Sequence, residues 1–183
     1  TFDLPIAGLY NIYNALAAAC TGLALGLSLE EIQAGIAALR TIAGRTNLLQ
    51  TDSLLIIDDC YNANPISTMS SLDILATAKG RTVAVLGDMF ELGANEKELH
   101  YNTGAHASQD KIDIICCIGK LSKNTYDGAK AYAEGNSVLY FETKQEFLSK
   151  LPNVIKKGDT ILVKASHSME FPEIVETLQQ LKL

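Results

Sequence analysis

The chain is expected to fold as an α/β protein built on a doubly wound sheet of five parallel strands and one antiparallel strand. Three observations lead there. From residue 54 onward, short apolar runs alternate with longer segments of helical period. Short, continuously apolar strands suit a parallel sheet covered by helices on both faces. Before the alternation begins, Thr51-Asp52-Ser53 separates two strand-like runs, which reads as a tight hairpin and supplies the antiparallel strand.

Residues 11–25 are rich in Ala and Leu, which favour helix, and Gly26 suits the cap at its end. Ser28 followed by Glu31 makes a capping box for a second helix, with Ile32, Ile36 and Leu39 on one face. Two helices cannot bury enough surface to stand alone. Residues 1–44 are therefore expected to be the helical end of another domain, and residues 45–183 a complete one. In the second part, strands are expected at 47–49, 54–57, 82–86, 112–118, 138–141 and 160–163. Helices are expected at 64–80, 97–108, 123–133, 144–151 and 173–181. Asn64-Pro65 is the clearest start signal, Asn as cap and Pro at the first helical position. The layering expected is Rossmann-like.

Composition narrows the function classes. Of 183 residues, 48% are apolar and 20% charged, as in ordinary globular proteins. A net charge of -6 argues against a nucleic-acid partner, which needs a basic face. It leaves phosphate ligands open, because backbone amides bind phosphate in acidic proteins too. No apolar run approaches the roughly 20 residues of a membrane helix, and no cationic segment precedes an apolar one at the start, so neither a span nor a signal peptide is expected. Cys20, Cys60, Cys116 and Cys117 form no CxxC pair and read as free thiols in a reducing cytoplasm. Cys116 and Cys117 should point to opposite faces of one strand. Cys60 with His100, His106 or His167 makes no standard zinc pattern, and no metal site is expected.

In an open parallel sheet, ligands bind beyond the carboxyl ends of the strands. Asp58-Asp59-Cys60-Tyr61-Asn62-Ala63-Asn64 follows the first parallel strand, and Gly87-Asp88 through Gly93 the second. Gly119-Lys120 follows the third and Lys164-Ala165-Ser166-His167 the last. The polar groups worth naming thus share one edge. Each also has a plain structural reading: Asp58 and Asp59 as sheet and helix caps, Asn62 and Asn64 as turn residues, Asp88 as a loop turn, Lys164 as a solvated strand end. Neither GxxxxGK[ST] nor GxGxxG occurs, so the chain lacks both standard triphosphate cradles.

Five segments, in order, resemble motifs of the Mur ligase family. They are Gly8-Leu9-Tyr10-Asn11-Ile12-Tyr13-Asn14-Ala15-Leu16-Ala17-Ala18, Gly44-Arg45, Asp58-Asp59-Cys60-Tyr61-Asn62-Ala63-Asn64-Pro65, Val85-Leu86-Gly87-Asp88-Met89-Phe90-Glu91-Leu92-Gly93, and Leu162-Val163-Lys164-Ala165-Ser166-His167-Ser168-Met169. The YNANP and GDMxELG spellings are similar to those of the branch that uses D-alanyl-D-alanine. Tyr10 stands where the family usually has His, and Ala165 where Gly is usual.

The resemblance implies a three-domain, ATP-dependent ligase of peptidoglycan synthesis. It implies that residues 1–44 end the central ATP-binding domain and 45–183 form the C-terminal domain. The partners implied are ATP with Mg2+, UDP-N-acetylmuramoyl-tripeptide, D-alanyl-D-alanine and the two preceding domains. Carried over by position, Asn11, Asn14, Arg45 and Asp59 would serve ATP, with Asn14 on adenine and Arg45 and Asp59 on ribose. Asn62, Asn64, Asp88, Lys164 and Ser166 would line the dipeptide side. No catalytic residue is implied within the chain. A receiver-type signalling domain, or another non-catalytic Rossmann-like module, is the alternative. Asp58-Asp59 and Lys164 fit a receiver, but Cys117-Ile118-Gly119 offers no phosphorylatable Asp at the third strand.

Overall fold

The computed structural model describes residues 2–183, which divide into two compact units, one ending at Ile42 and one spanning Ala43–Leu183. No helix among the described residues is long and apolar enough to cross a membrane.

The first unit is a helix pair, α1 (Leu9–Ala24) and α2 (Leu29–Ala37). Gly26, at φ 85°, ends α1: its N–H reaches Leu23 O and the Leu27 N–H reaches Gly22 O, the two bonds of a Schellman turn. The expected capping box starts α2. Ser28 Oγ accepts from Glu31 N at 3.2 Å while Ser28 N donates to Glu31 Oε2 at 2.8 Å. Ala19, Ile32 and Ile36 form the small core, with Leu4 and Ala15 against it. Leu39 does not join them: α2 stops at Ala37, so the helical step beyond Ile36 is lost and Leu39 is exposed.

The second unit begins with β1 (Asn47–Gln50) and β2 (Leu55–Asp58), paired antiparallel. Then come α3 (Pro65–Ala76), β3 (Thr82–Gly87), α4 (Glu96–Gln109), β4 (Ile114–Ile118), α5 (Ser122–Ala131), β5 (Ser137–Phe141), α6 (Lys144–Val154), β6 (Thr160–Lys164) and α7 (Pro172–Gln180). The six-stranded sheet has the order β1-β2-β6-β3-β4-β5, all neighbours after β1-β2 being parallel. The α3 helix ends at Ala76, short of the expected Gly80, which instead turns the chain at φ 90°.

Strand alternation sorts the core into two layers. Ile56, Val85, Cys116, Ile161 and Val163 face Phe147 and Leu151 of α6 and Ile174 and Leu178 of α7. Ile57, Ala84, Cys117 and Leu162 face Leu72 and Leu75 of α3, with Ala107 of α4 and Ala129 of α5. Cys116 and Cys117 do lie on opposite faces. The last strand, β6, lies between the first two parallel strands. A receiver instead has its first strand between its second and third, so the topology removes that alternative.

Helices α4 and α5 meet through glycine. A Cβ on Gly104 would run into the Thr125 carbonyl, and one on Gly128 into that of Tyr101. At the amino ends of the strands, the Arg81 guanidinium forks onto Asp159, Nε to Oδ1 at 2.8 Å and Nη2 to Oδ2 at 2.6 Å, joining the starts of β3 and β6.

These contacts set opposite outcomes for two glycines. Gly104→Ala should destabilise the second unit by about 1–3 kcal/mol in urea unfolding, because the collision is with backbone. Gly35 in α2 meets nothing within 4 Å, so Gly35→Ala should stabilise its helix by roughly 0.5–1 kcal/mol. A Gly104→Ala protein as stable as the parent would refute the close crossing.

Candidate functional site

The β2–α3 loop, the β3–α4 loop and the segment after β6 converge at the carboxyl edge of the sheet. Asp58 ends β2 in register with Val163, and the Asp59 N–H donates to Val163 O at 3.0 Å. Consecutive residues on a strand face opposite ways, so the two carboxylates have different surroundings.

Asp58 serves the chain entering β1. Its Oδ2 accepts from Gly44 N at 2.8 Å, and its Oδ1 takes the Cys60 thiol at 2.9 Å. Burial, then Asp58 itself, pushes the Cys60 thiol pKa up, which keeps it from acting as a nucleophile. Gly44 sits at φ 75°, and a Cβ there would lie 3.0 Å from Tyr61 N. Thr46 holds φ 48°, rare for a β-branched residue, and is pinned there by Asp59 Oδ1, which accepts from Thr46 N at 2.9 Å.

Asp59 is committed on both oxygens. Besides Thr46 on Oδ1, its Oδ2 has Ser71 Oγ at 2.7 Å and Lys164 Nζ at 2.5 Å. A ribose hydroxyl reaches this carboxylate only by replacing one of those partners. Lys164, 3% exposed, also donates to Asn62 O at 3.2 Å. Burial lowers its pKa below the ordinary lysine value, against the pull of Asp59. It is neither a solvated strand end nor free to meet a ligand carboxylate; it ties β6 to the 59–62 loop.

Asp88 is likewise turned inward. Its Oδ1 accepts from Ser122 N and Ser122 Oγ, both at 2.7 Å, placing a carboxylate at the start of α5 where helix amides favour it. The adjacent loop is held residue by residue. His100, fully buried, accepts from Met89 N on Nε2 at 3.0 Å, while its Nδ1 lies 2.7 Å from Glu96 O, an arrangement that assigns the Nδ1-H tautomer. Ser166 Oγ accepts from Phe90 N at 2.9 Å, and Ser166 N donates to Asp88 O at 3.0 Å. The loop then passes through Glu91 at φ 63°. Ala165, the departure from the usual Gly, fits because its Cβ occupies the place where a Cβ on Gly87 would fall, 2.6 Å away.

Of the residues expected on the dipeptide side, Asp88 and Lys164 therefore support loops from behind, and Ser166 holds the Phe90 amide at the cleft wall. Asn64 caps α3, its Oδ1 accepting from Ser67 N at 2.9 Å. Asn62 remains exposed on the open side. It lines a cleft of 380 Å³ with Tyr61, Phe90, Glu91, Ser166, His167 and Ser168. Beside it the Arg45 guanidinium lies 4.0 Å over the Tyr61 ring, whose other neighbour is the His167 ring at 5.7 Å. Asn11 and Asn14 belong to the first unit: Asn11 Nδ2 donates to Ala7 O at 2.6 Å, and exposed Asn14 donates to Asn11 Oδ1 at 3.3 Å. Away from this edge, His106 Nε2 lies 2.8 Å from Asp73 Oδ1 and 3.1 Å from Asp110 Oδ2. Among the described residues, Cys60 contributes to no such group.

Sequence reading missed His100, Glu91 and the stacking of Arg45 on Tyr61. The four-residue step from Glu96 to His100 was visible, but its partner in the loop is set only by the fold.

An α/β domain of this topology, with its polar residues gathered at the strand ends, defines a ligand-binding module of the doubly wound class. Residues 44–167 match the Mur ligase, glutamate ligase domain, and the chain belongs to the Mur ligase family. It is 38% identical over 181 residues to the UDP-N-acetylmuramoyl-tripeptide--D-alanyl-D-alanine ligase of Bacillus subtilis (strain 168), a match covering 97% of this chain and 40% of the relative. It is 37% identical over 180 residues to the Escherichia coli (strain K12) ligase of the same name, covering 97% and 38%. The crystal structure of MurF from Acinetobacter baumannii superposes with a TM-score of 0.89 at 32% identity, over 98% of this chain and 40% of that one. The MurF ligase of Thermotoga maritima in complex with ADP superposes with a TM-score of 0.76 at 27% identity, over 96% and 39%. The chain thus spans about 40% of the length of the relatives it matches.

Gly44 offers a direct check on the site's geometry. Gly44→Ala should cost about 1–3 kcal/mol, the range for a strained backbone conformation, and should shift the NMR signals of Arg45 and Tyr61. Unchanged stability and unchanged signals would show that the left-handed turn is not required.

Proposed function

We propose that this chain is the C-terminal part of an ATP-dependent ligase that adds D-alanyl-D-alanine to UDP-N-acetylmuramoyl-tripeptide in the cytoplasm. The observation that carries this reading is the relatives' shared name, held over nearly all of this chain. On this reading the first unit is the end of the central, ATP-binding domain, and the second is the C-terminal domain. Asn11 and Asn14 serve the adenine side. Arg45, already stacked on an aromatic ring, serves the ribose, with Asp59 holding the Thr46 turn beside it. The ADP complex of the Thermotoga relative supports a nucleotide role for the family fold.

The chemistry has two steps. A tripeptide carboxylate oxygen attacks the terminal phosphorus of ATP, and ADP leaves with the bridging oxygen. The dipeptide nitrogen then attacks the acyl carbon of the resulting acyl phosphate. The carbon–oxygen bond to phosphate breaks, phosphate leaves, and the nitrogen gives up a proton. Phosphoryl transfer rests on positioning and on neutralising charge, for which magnesium serves when bound. The carboxylates at this edge do not fit a magnesium cage. Asp58, Asp59 and Asp88 are each held within the fold, whereas magnesium takes an octahedron of oxygens. What the chain supplies is a cleft for the incoming amine. Asn62 is on its open side, Asn64 fixes the loop's exit into α3, and Asp88, Lys164 and Ser166 set its walls.

Two proteins test the reading together. The chain alone, given ATP, magnesium, UDP-N-acetylmuramoyl-tripeptide and D-alanyl-D-alanine, should release no phosphate. A chimera in which it replaces the matched segment of the Bacillus subtilis ligase should release phosphate only when the dipeptide is present. Turnover by the chain alone would place catalytic machinery where none is assigned. A folded chimera whose phosphate release ignores the dipeptide would overturn the assignment.

A further inference from the structure

The cleft between the loops contains one acidic side chain that the fold does not use. Asp58, Asp59 and Asp88 border this edge, but each is 6% exposed or less; Asp58 and Asp59 use both carboxylate oxygens within the fold, and Asp88 is bonded to Ser122 through Oδ1. Glu91 is different: it is exposed, lines the cleft, and makes no hydrogen bond or ion pair among the described residues. Its backbone is nevertheless held in place. The two residues before it have their N–H groups taken by His100 and Ser166, and Glu91 itself adopts φ 63°, a conformation that non-glycine residues keep only when their surroundings enforce it.

The rest of the lining has the opposite character. Asn62, His167 and Ser168 offer an amide, an imidazole and a hydroxyl from two other segments, and Arg45 lies over the Tyr61 ring that borders the same space. The lining therefore combines an unpaired carboxylate with an amide, an imidazole and a hydroxyl, and the Arg45 cation lies beside it on Tyr61. That combination matches a short zwitterion with an ammonium at one end and a carboxylate at the other. At 380 Å³ the cleft also suits a ligand of dipeptide size.

We propose that Glu91 is the residue that receives the ammonium group of the incoming dipeptide, and that Asn62, His167 and Ser168 face its terminal carboxylate. This rests on the reading of the cleft as the dipeptide site. It moves the charged contact from Asp88, which is buried and does not line the cleft, to Glu91, three residues on. A charge-assisted hydrogen bond to a carboxylate carried on held backbone also orients the nitrogen before it is deprotonated for attack.

The test is an NMR titration of the full 183-residue chain with D-alanyl-D-alanine, with N-acetyl-D-alanyl-D-alanine, which lacks the ammonium, and with D-alanyl-D-alanine amide, which lacks the carboxylate. Wild type should show saturable shifts at Tyr61, Asn62, Glu91, His167 and Ser168. Glu91→Gln, which keeps the side chain's shape, should bind the dipeptide and its amide about ten- to a hundredfold more weakly, the range for one charge-assisted hydrogen bond. Binding of the N-acetyl compound should not change between the two proteins. Equal affinity of wild type and Glu91→Gln for the dipeptide, with shifts at the cleft, overturns the role of Glu91 and leaves the cleft reading in place. No saturable binding by wild type, or shifts confined to other surfaces, overturns the cleft reading itself.

Discussion

The buried contact between Lys164 and Asp59 is the constraint on which the working edge of this protein depends. Two neighbouring parallel strands end side by side, one with a cation and the other with an anion, and both are almost wholly out of water. Neither charge is tolerable alone in that setting, because the desolvation cost is offset only by the partner and by further hydrogen bonds. Those further bonds are what shape the edge. Asp59 also holds Thr46 in a left-handed turn and meets Ser71 on α3, while Lys164 also holds the Asn62 carbonyl. One ion pair thus fixes the entry to β1, the β2–α3 loop and the first residues after β6.

A second set of contacts does the same for the loop after β3. His100 and Ser166 take consecutive amides, and Asp88 ties the loop to α5. Charged and polar residues at the strand ends therefore fall into two groups. Asp58, Asp59, Asp88, Lys164 and Ser166 are spent on holding loops in place. Arg45, Tyr61, Asn62, Glu91, His167 and Ser168 keep their side chains on the open side, on backbone that the first group holds. Binding to a site ordered in advance loses less entropy than binding to a loose one. On the proposed reading, this division of labour would hold a small amine in one orientation.

Much of the fold was legible because its signals are local. The Ser28–Glu31 box, the Asn64-Pro65 start and the apolar runs of the strands each carry their meaning within a few residues. The gathering of polar residues at the carboxyl edge was also legible, since the strand ends can be read off the alternation. What was not legible is which of the polar residues there are committed. Asp58 and Asp59 are adjacent in sequence but face different layers, and Asp88 finds Ser122 only through packing of α5. Gly104 and Gly128 read as weak points in helices, yet they are where α4 and α5 come together. Leu39 continued an apolar pattern past a helix that had already ended. Each of these depends on a partner distant in sequence, and periodicity holds no information about that partner.

A double-mutant cycle on Asp59 and Lys164 tests the central claim most directly. Asp59→Ala and Lys164→Met should each destabilise the second unit by about 3–5 kcal/mol in urea unfolding, since each strands a buried charge. The double variant should be clearly more stable than the sum of the two losses, because neither charge then remains. Losses that simply add would contradict the account: the two groups would be independent, and the loops they join would be held by something else.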